Sequence, residues 1–210
     1  KQKGNAKETH SCSTQDSLAL VAIYNNMNGT NWTHQEKWLS DAPVKDWWGI
    51  TVENNRVTSI DFFWDWDSTQ NVAGKFVDEF WDLTALEFID FTLNQINDSL
   101  HPAFFDLQNL KCLDISVNQL TGSIPEEINN SSSLEYISLN ANQLSGTLPT
   151  ELDSLTNLQT FACGLNQISG TIPAELQDLN NLQILNINNN KIKGSIPREL
   201  GNLTNLNWVD

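Results

Sequence analysis

The chain has 210 residues, 39% of them hydrophobic, and a net charge of −15 at pH 7. So acidic a surface excludes a nucleic-acid backbone as partner, because phosphates require basic side chains; it favours solubility and cationic partners. Three cysteines, Cys12, Cys112 and Cys163, cannot all pair, so no disulfide framework is indicated, and no stretch is long and apolar enough to span a membrane.

Residues 1–13 are polar, carry no signal-peptide pattern and read as a mature terminus or a tether left by a removed leader, with Cys12 inside it. Residues 14–56 read as an amino-terminal cap. Asp16 or Thr14 can cap a helix whose apolar residues Leu18, Val21, Ala22 and Tyr24 recur at helical spacing, ending near Asn28 and Gly29. Trp32, Trp38, Trp47 and Trp48 follow, and they read as the core of the cap in preference to a binding cluster.

From Val57 onward the sequence repeats. Asn94, Asn118, Asn142, Asn166 and Asn190 return every 24 residues inside a frame of apolar first, fourth, sixth and eleventh places. The coils run 57–85, 86–109, 110–133, 134–157, 158–181 and 182–205, with a partial coil at 206–210. In the first coil Val57, Ile60 and Phe62 hold the frame, but Gly74 and Phe76 arrive five residues late, marking an insertion around Trp64 to Ala73. In the second, Asp98 and His101 replace the usual glycine and proline, which predicts a less regular convex side.

Each place has a physical role. One coil cannot bury its apolar residues alone, so the coils stack. The fourth and sixth places alternate with polar neighbours, as in Asp114-Ile115-Ser116, giving short strands that form a parallel sheet. The asparagines follow the strand, where a buried amide can satisfy backbone donors and acceptors of adjacent coils as a structural ladder. The late proline of each coil suits an extended edge entering a short helix.

The segments Leu-Thr-Gly-Ser-Ile-Pro at 120–125, Leu-Ser-Gly-Thr-Leu-Pro at 144–149 and Ile-Ser-Gly-Thr-Ile-Pro at 168–173 resemble the plant-type leucine-rich repeat. The resemblance covers residues 57–210, and the cap is similar to that of receptor-like kinase ectodomains and related microbial surface proteins. It implies an α/β solenoid: a right-handed superhelix with a parallel concave sheet, an irregular or 3-10 convex side and a helical amino-terminal cap. Plant versions usually carry a cysteine pair in the cap; Val52 stands where one is expected, so aromatic burial must hold this cap. The family binds proteins, peptides and glycans, outside the cell or at its surface.

The third, fifth, seventh and eighth places of each coil are expected to face outward on the concave sheet. The candidate ligand-binding residues are Asp61, Phe63, Trp64, Phe88, Asp90, Asp114 and Tyr136, because exposed aromatics beside aligned carboxylates can stack on a ligand and accept its hydrogen bonds. Phe63, Trp64 and Trp66 folding under the insertion as a local core is the competing expectation. No enzyme is expected: His10, His34 and His101 lie in different regions, and the stacked aspartates have no deep cleft around them. Asp65-Trp66-Asp67 with Asn71 is only faintly like a calcium loop, so no metal or cofactor is assigned. The alternative is a structural or adhesive protein that forms a homodimer through Leu206 and Trp208 on its last coil.

Overall fold

The computed structural model describes residues 12–63 and 69–210. Eight strands form one curved sheet: β1 (Ile50–Glu53), β2 (Arg56–Asp61), β3 (Phe88–Asp90), β4 (Cys112–Asp114), β5 (Tyr136–Ser138), β6 (Thr160–Ala162), β7 (Ile184–Asn186) and β8 (Trp208–Val209). β1 pairs antiparallel with β2, and all later neighbours are parallel. The inward-pointing residues are Val57 and Ile60 on β2 and the middle residue of each strand from β3 to β7 (Ile89, Leu113, Ile137, Phe161 and Leu185), and all seven are buried. The chain then turns, and a five-residue 3-10 helix crosses the convex side in each coil, as at Glu126–Asn130 and Thr150–Ser154.

The coil with His101 keeps the same turn at Pro102–Asp106, against the expectation of irregularity. His101 takes the capping place, its Nδ1 accepting from Ala103 N at 3.1 Å, and Asp98 accepts from the backbone of Phe76 and Ser99. The eighth place is exposed or half-exposed, and it has a feature that the spacing did not disclose. Leu93, Val117, Ala141, Leu165 and Asn189 adopt the left-handed conformation with φ between 49° and 60°. That conformation is costly for side-chain-bearing residues. Here it brings each strand exit into register with the next coil, as in Val117 N to Asn140 O at 2.8 Å and Ala141 N to Gly164 O at 2.9 Å.

The asparagines lock these turns together. Asn142 Oδ1 accepts from Leu120 N at 2.9 Å, and its Nδ2 donates to Ile115 O at 2.9 Å and Leu139 O at 3.2 Å. Asn94, Asn118, Asn166 and Asn190 repeat this set, each reaching backward to the preceding coil. Gln70, two residues before Val72 as Asn94 is two before Ile96, occupies the ladder place of the first coil. Its longer side chain brackets His34, accepting from His34 N at 2.9 Å and donating to His34 O, and so ties the repeats to the cap.

In the cap, α1 (Thr14–Asn26) begins at Ser13, whose Oγ accepts from Asp16 N at 3.1 Å; neither Asp16 nor Thr14 supplies the cap. The buried stripe is Asp16, Ala19, Leu20, Ile23 and Tyr24, so the sequence-based phase was rotated, and Leu18 is 63% exposed. The cause is Asp16: its fully buried carboxylate accepts from Arg56 Nε at 3.0 and 3.1 Å and Val57 N at 2.7 Å, docking the helix on β2. Cys12, expected in a polar leader, is buried in this core. Trp32, Trp38 and Trp47 are buried with Tyr24 and Phe62, and their indole N–H groups donate to Met27 O, Trp48 O and Ala42 O.

One core position is undersized. Leu83, Leu107, Leu155, Leu179 and Leu203 fill the place after each 3-10 helix, but the third coil has Ser131, fully buried with its hydroxyl lacking a hydrogen-bond partner.

Two stability outcomes follow from this packing, both read by urea denaturation. Asn142→Ala should cost roughly 3–5 kcal/mol, because several buried backbone groups lose their partners at once, whereas half-buried Asn190→Ala should cost roughly 1–2 because water can replace the amide. Ser131→Leu should stabilise by about 1–2 kcal/mol through added apolar burial and removal of the unsatisfied hydroxyl; a loss of stability would show that the site cannot admit the larger side chain.

Candidate functional site

Strand register sets the geometry of the concave face. Asp61, Asp90 and Asp114 sit side by side on β2, β3 and β4, and Ser59, Phe88, Cys112 and Tyr136 form the neighbouring row. Each carboxylate is steadied by a backbone N–H two residues on: Phe63 N at 3.2 Å, Thr92 N at 2.7 Å and Ser116 N at 2.9 Å. The Tyr136 hydroxyl donates to Asp114 Oδ2 at 3.2 Å. These bonds hold three like charges at about the 4.8 Å strand spacing.

Asp90, between the other two, is strongly perturbed. Burial pushes its acid up to about 6; Thr92 hydrogen bonds oppose the rise, and the carboxylates of Asp114 and Asp61 add to it. Asp61 keeps more than a third of its surface exposed, yet crowding by the sheet still raises its acid. Burial, then Asp114, raises both the Cys112 thiol and the Tyr136 phenol to about 12. Cys112 is therefore an unreactive thiol at neutral pH, and Tyr136 keeps the proton it donates.

Phe63, Asp90, Asp114 and Tyr136 together line a pocket of about 260 Å³, with Ser116 and Ser138 joined at 2.6 Å in its wall. Asp61 lines an adjoining hollow of about 460 Å³ with Trp48, Thr51, Ser59 and, again, Phe63. Phe88 is half-buried and lines neither, and Trp64 lies outside the described residues, as do Trp66, His10 and the Asp65-Trp66-Asp67 segment. Trp48 was expected in the core of the cap and is only partly buried, and neither it nor Thr51 nor Ser59 was among the candidate binding residues. The alternation in Ile50-Thr51-Val52 was a signal, since it gives β1 a residue on the concave face.

Several places expected to face outward are instead buried among their neighbours: Ser138 and Ala162 at the fifth place and Thr92 and Ser116 at the seventh. At Gly164 a Cβ would approach Asn188 Oδ1 to 2.5 Å and Asn186 Oδ1 to 2.6 Å, so only glycine allows these amides to close over the strand exit. Trp208 and Val209 on β8 are 55% and 47% exposed. His34 stacks on Trp48 in the cap, and His101 stacks on Trp81 on the convex side. Among the described residues, no group of three or more His, Cys, Asp or Glu side chains could hold a metal ion, and no helix is long and apolar enough to cross a membrane.

The Leucine Rich Repeat family model matches residues 109–131, 133–155 and 181–203. Among solved structures, the chain is similar to the Arabidopsis receptor kinase HAESA in complex with the peptide hormone IDA and the co-receptor SERK1. The TM-score is 0.83 at 30% identity, covering 92% of this chain and 33% of that one. It is also similar to the leucine-rich repeat ectodomain of the membrane receptor kinase GASSHO1/SCHENGEN3 from Arabidopsis thaliana in complex with CASPARIAN STRIP INTEGRITY FACTOR 2, with a TM-score of 0.78, 27% identity and coverage of 91% and 26%. A chain of the BIR3–SERK2 complex from Arabidopsis thaliana matches with a TM-score of 0.73, 25% identity and coverage of 87% and 97%. No curated protein matches by sequence. The chain thus spans about a third of the first receptor and a quarter of the second. Its repeats are leucine-rich repeats of the plant type, and they build an α/β solenoid.

The raised acid of Asp90 gives a pH signature. A carboxyl whose folded pKa lies above its unfolded value stabilises the fold fully at pH below about 4, and that contribution is lost as pH rises through about 6. Asp90→Asn should therefore stabilise relative to wild type at pH 7.5, on the order of 1 kcal/mol, and leave stability nearly unchanged at pH 4. Paired urea melts would read this, and equal effects at both pH values would contradict it.

Proposed function

We propose that this chain is a non-enzymatic recognition module that binds a protein or peptide ligand on the amino-terminal half of its concave face. In this reading a basic side chain of the ligand lies between Asp90 and Asp114, flanked by the rings of Phe63 and Tyr136. The observation that carries it is the pocket itself, where fixed carboxylates meet aromatic walls on an otherwise open sheet. A guanidinium or ammonium there would gain charge-assisted hydrogen bonds and face contact with the rings. The net charge of −15 steers such a partner inward. Support also comes from the similar receptors: HAESA is in complex with a peptide hormone, and GASSHO1/SCHENGEN3 is a membrane receptor kinase ectodomain. A site outside the cell or at its surface belongs to the same reading. Asp61 and Phe88 flank the pocket as secondary contacts, and Trp64 follows Phe63 in the chain.

Binding of a peptide library to the immobilised protein tests the proposal. Basic peptides should bind, losing affinity with added salt and again as pH falls from 7.5 to 5, where Asp90 takes up its proton. Asp90→Asn should weaken the best binder by about tenfold, equivalent to about 1.4 kcal/mol. Peptides binding equally whatever their charge, or a glycan array responding where peptides do not, would overturn it. Light scattering of the same sample separates the adhesive alternative, which requires concentration-dependent dimers lost on Trp208→Ser.

A further inference from the structure

The second hollow, at the junction of cap and repeats, is a built cavity with its own chemistry. Gly49 makes it possible: at φ +78° it turns the chain from the cap into β1, and a Cβ there would approach Asp61 O to 2.5 Å and the Phe62 ring to 2.8 Å. This close approach sets Trp48 against the sheet. Its backbone is held on both sides, Trp48 N donating to Glu36 O at 3.1 Å and Trp48 O accepting from Trp38 Nε1 at 2.9 Å. Its ring lies nearly parallel to Phe62 and to His34, at interplanar angles of 15° and 21°. Trp48 is thus a rigid wall. Thr51 and Ser59, paired across β1 and β2, supply hydroxyls, and Phe63 lines both the hollow and the acidic pocket.

Resting on the peptide reading above, we infer that this hollow is a second compartment of the same groove and takes an aromatic side chain of the ligand. An aromatic ring matches the Trp48 and Phe63 walls, and Asp61 with the two hydroxyls can meet the hydrogen-bond donors it carries. The hollow is centred between β1 and β2, and the acidic pocket is centred on β4. Two and a half strand spacings separate them, about 12 Å. An extended peptide advances about 3.3 to 3.6 Å per residue. The ligand therefore crosses the strands with its aromatic residue three or four positions from its basic one.

The test is an array of ten-residue peptides carrying one arginine and one tryptophan or tyrosine at every spacing in an alanine and serine background, probed with the intact protein. Tightest binding is expected at spacings of three and four, with a drop of about tenfold when the aromatic residue becomes alanine or moves next to the arginine. Thr51→Trp, which fills the hollow from an exposed strand position, should erase the preference for the aromatic residue while the arginine stays necessary; Thr51→Leu, a smaller fill, should weaken it in part. Asp90→Asn should do the reverse. Arginine peptides that bind with no preference for an aromatic residue or its spacing, or a preference unmoved by either Thr51 variant, would overturn the second compartment and leave the basic pocket standing. Failure of every peptide would overturn both.

Discussion

The constraint on which everything else depends is that no coil of this chain can satisfy itself. A coil of 24 residues exposes its apolar places to the coils above and below, and it leaves backbone groups at the strand exit that its own fold cannot pair. The asparagine ladder resolves both problems at one point. Each amide closes its own turn through Nδ2 while reaching one coil back with Oδ1 and Nδ2 together, so the turns of neighbouring coils become one hydrogen-bonded unit. The left-handed residue before each asparagine is the conformational cost of that arrangement, offset by the bonds it permits.

The concave face inherits its precision from this register. Asp61, Asp90 and Asp114 would repel one another apart on a flexible surface, yet each is fixed by a backbone N–H and by strand pairing on both sides. The stability of the interior therefore maintains an electrostatically unfavourable surface. Such stored unfavourable free energy is what a cationic ligand would relieve, and Asp90 records it in its acid strength, through burial first and the neighbouring carboxylates second. The cap contributes in the same way, because Asp16 and Gln70 fasten it to β2 and to the first turn and so place Trp48 beside the aspartates.

Much of this was legible in sequence because the repeat is periodic. Inward and outward columns follow from spacing alone, and the sheet registers Phe88 with Cys112 and Asp90 with Asp114 as the 24-residue offset requires. What sequence did not disclose is wherever a polar residue does an apolar residue's work or the reverse. Asp16 sits in the buried stripe of α1 and so disguised its phase, leaving the exposed Leu18 to be read as core. Gln70 carries the ladder across five extra residues and was hidden by the broken spacing. Ser131 occupies a leucine place without any local sign. The hollow beside Trp48 depends on the antiparallel pairing of β1 with β2, a long-range relation that no period encodes.

Native-state hydrogen exchange at the backbone amides that donate to the asparagine side chains tests the central claim most directly. Ile96 N, Leu120 N and Leu144 N should exchange only with cooperative unfolding of the solenoid, at a common free energy, and Asn142→Ala should lower protection at Leu120 and along the neighbouring coils together. If these amides exchanged at independent, low free energies, or if Asn142→Ala exposed Leu120 alone, the coils would not be joined through the ladder.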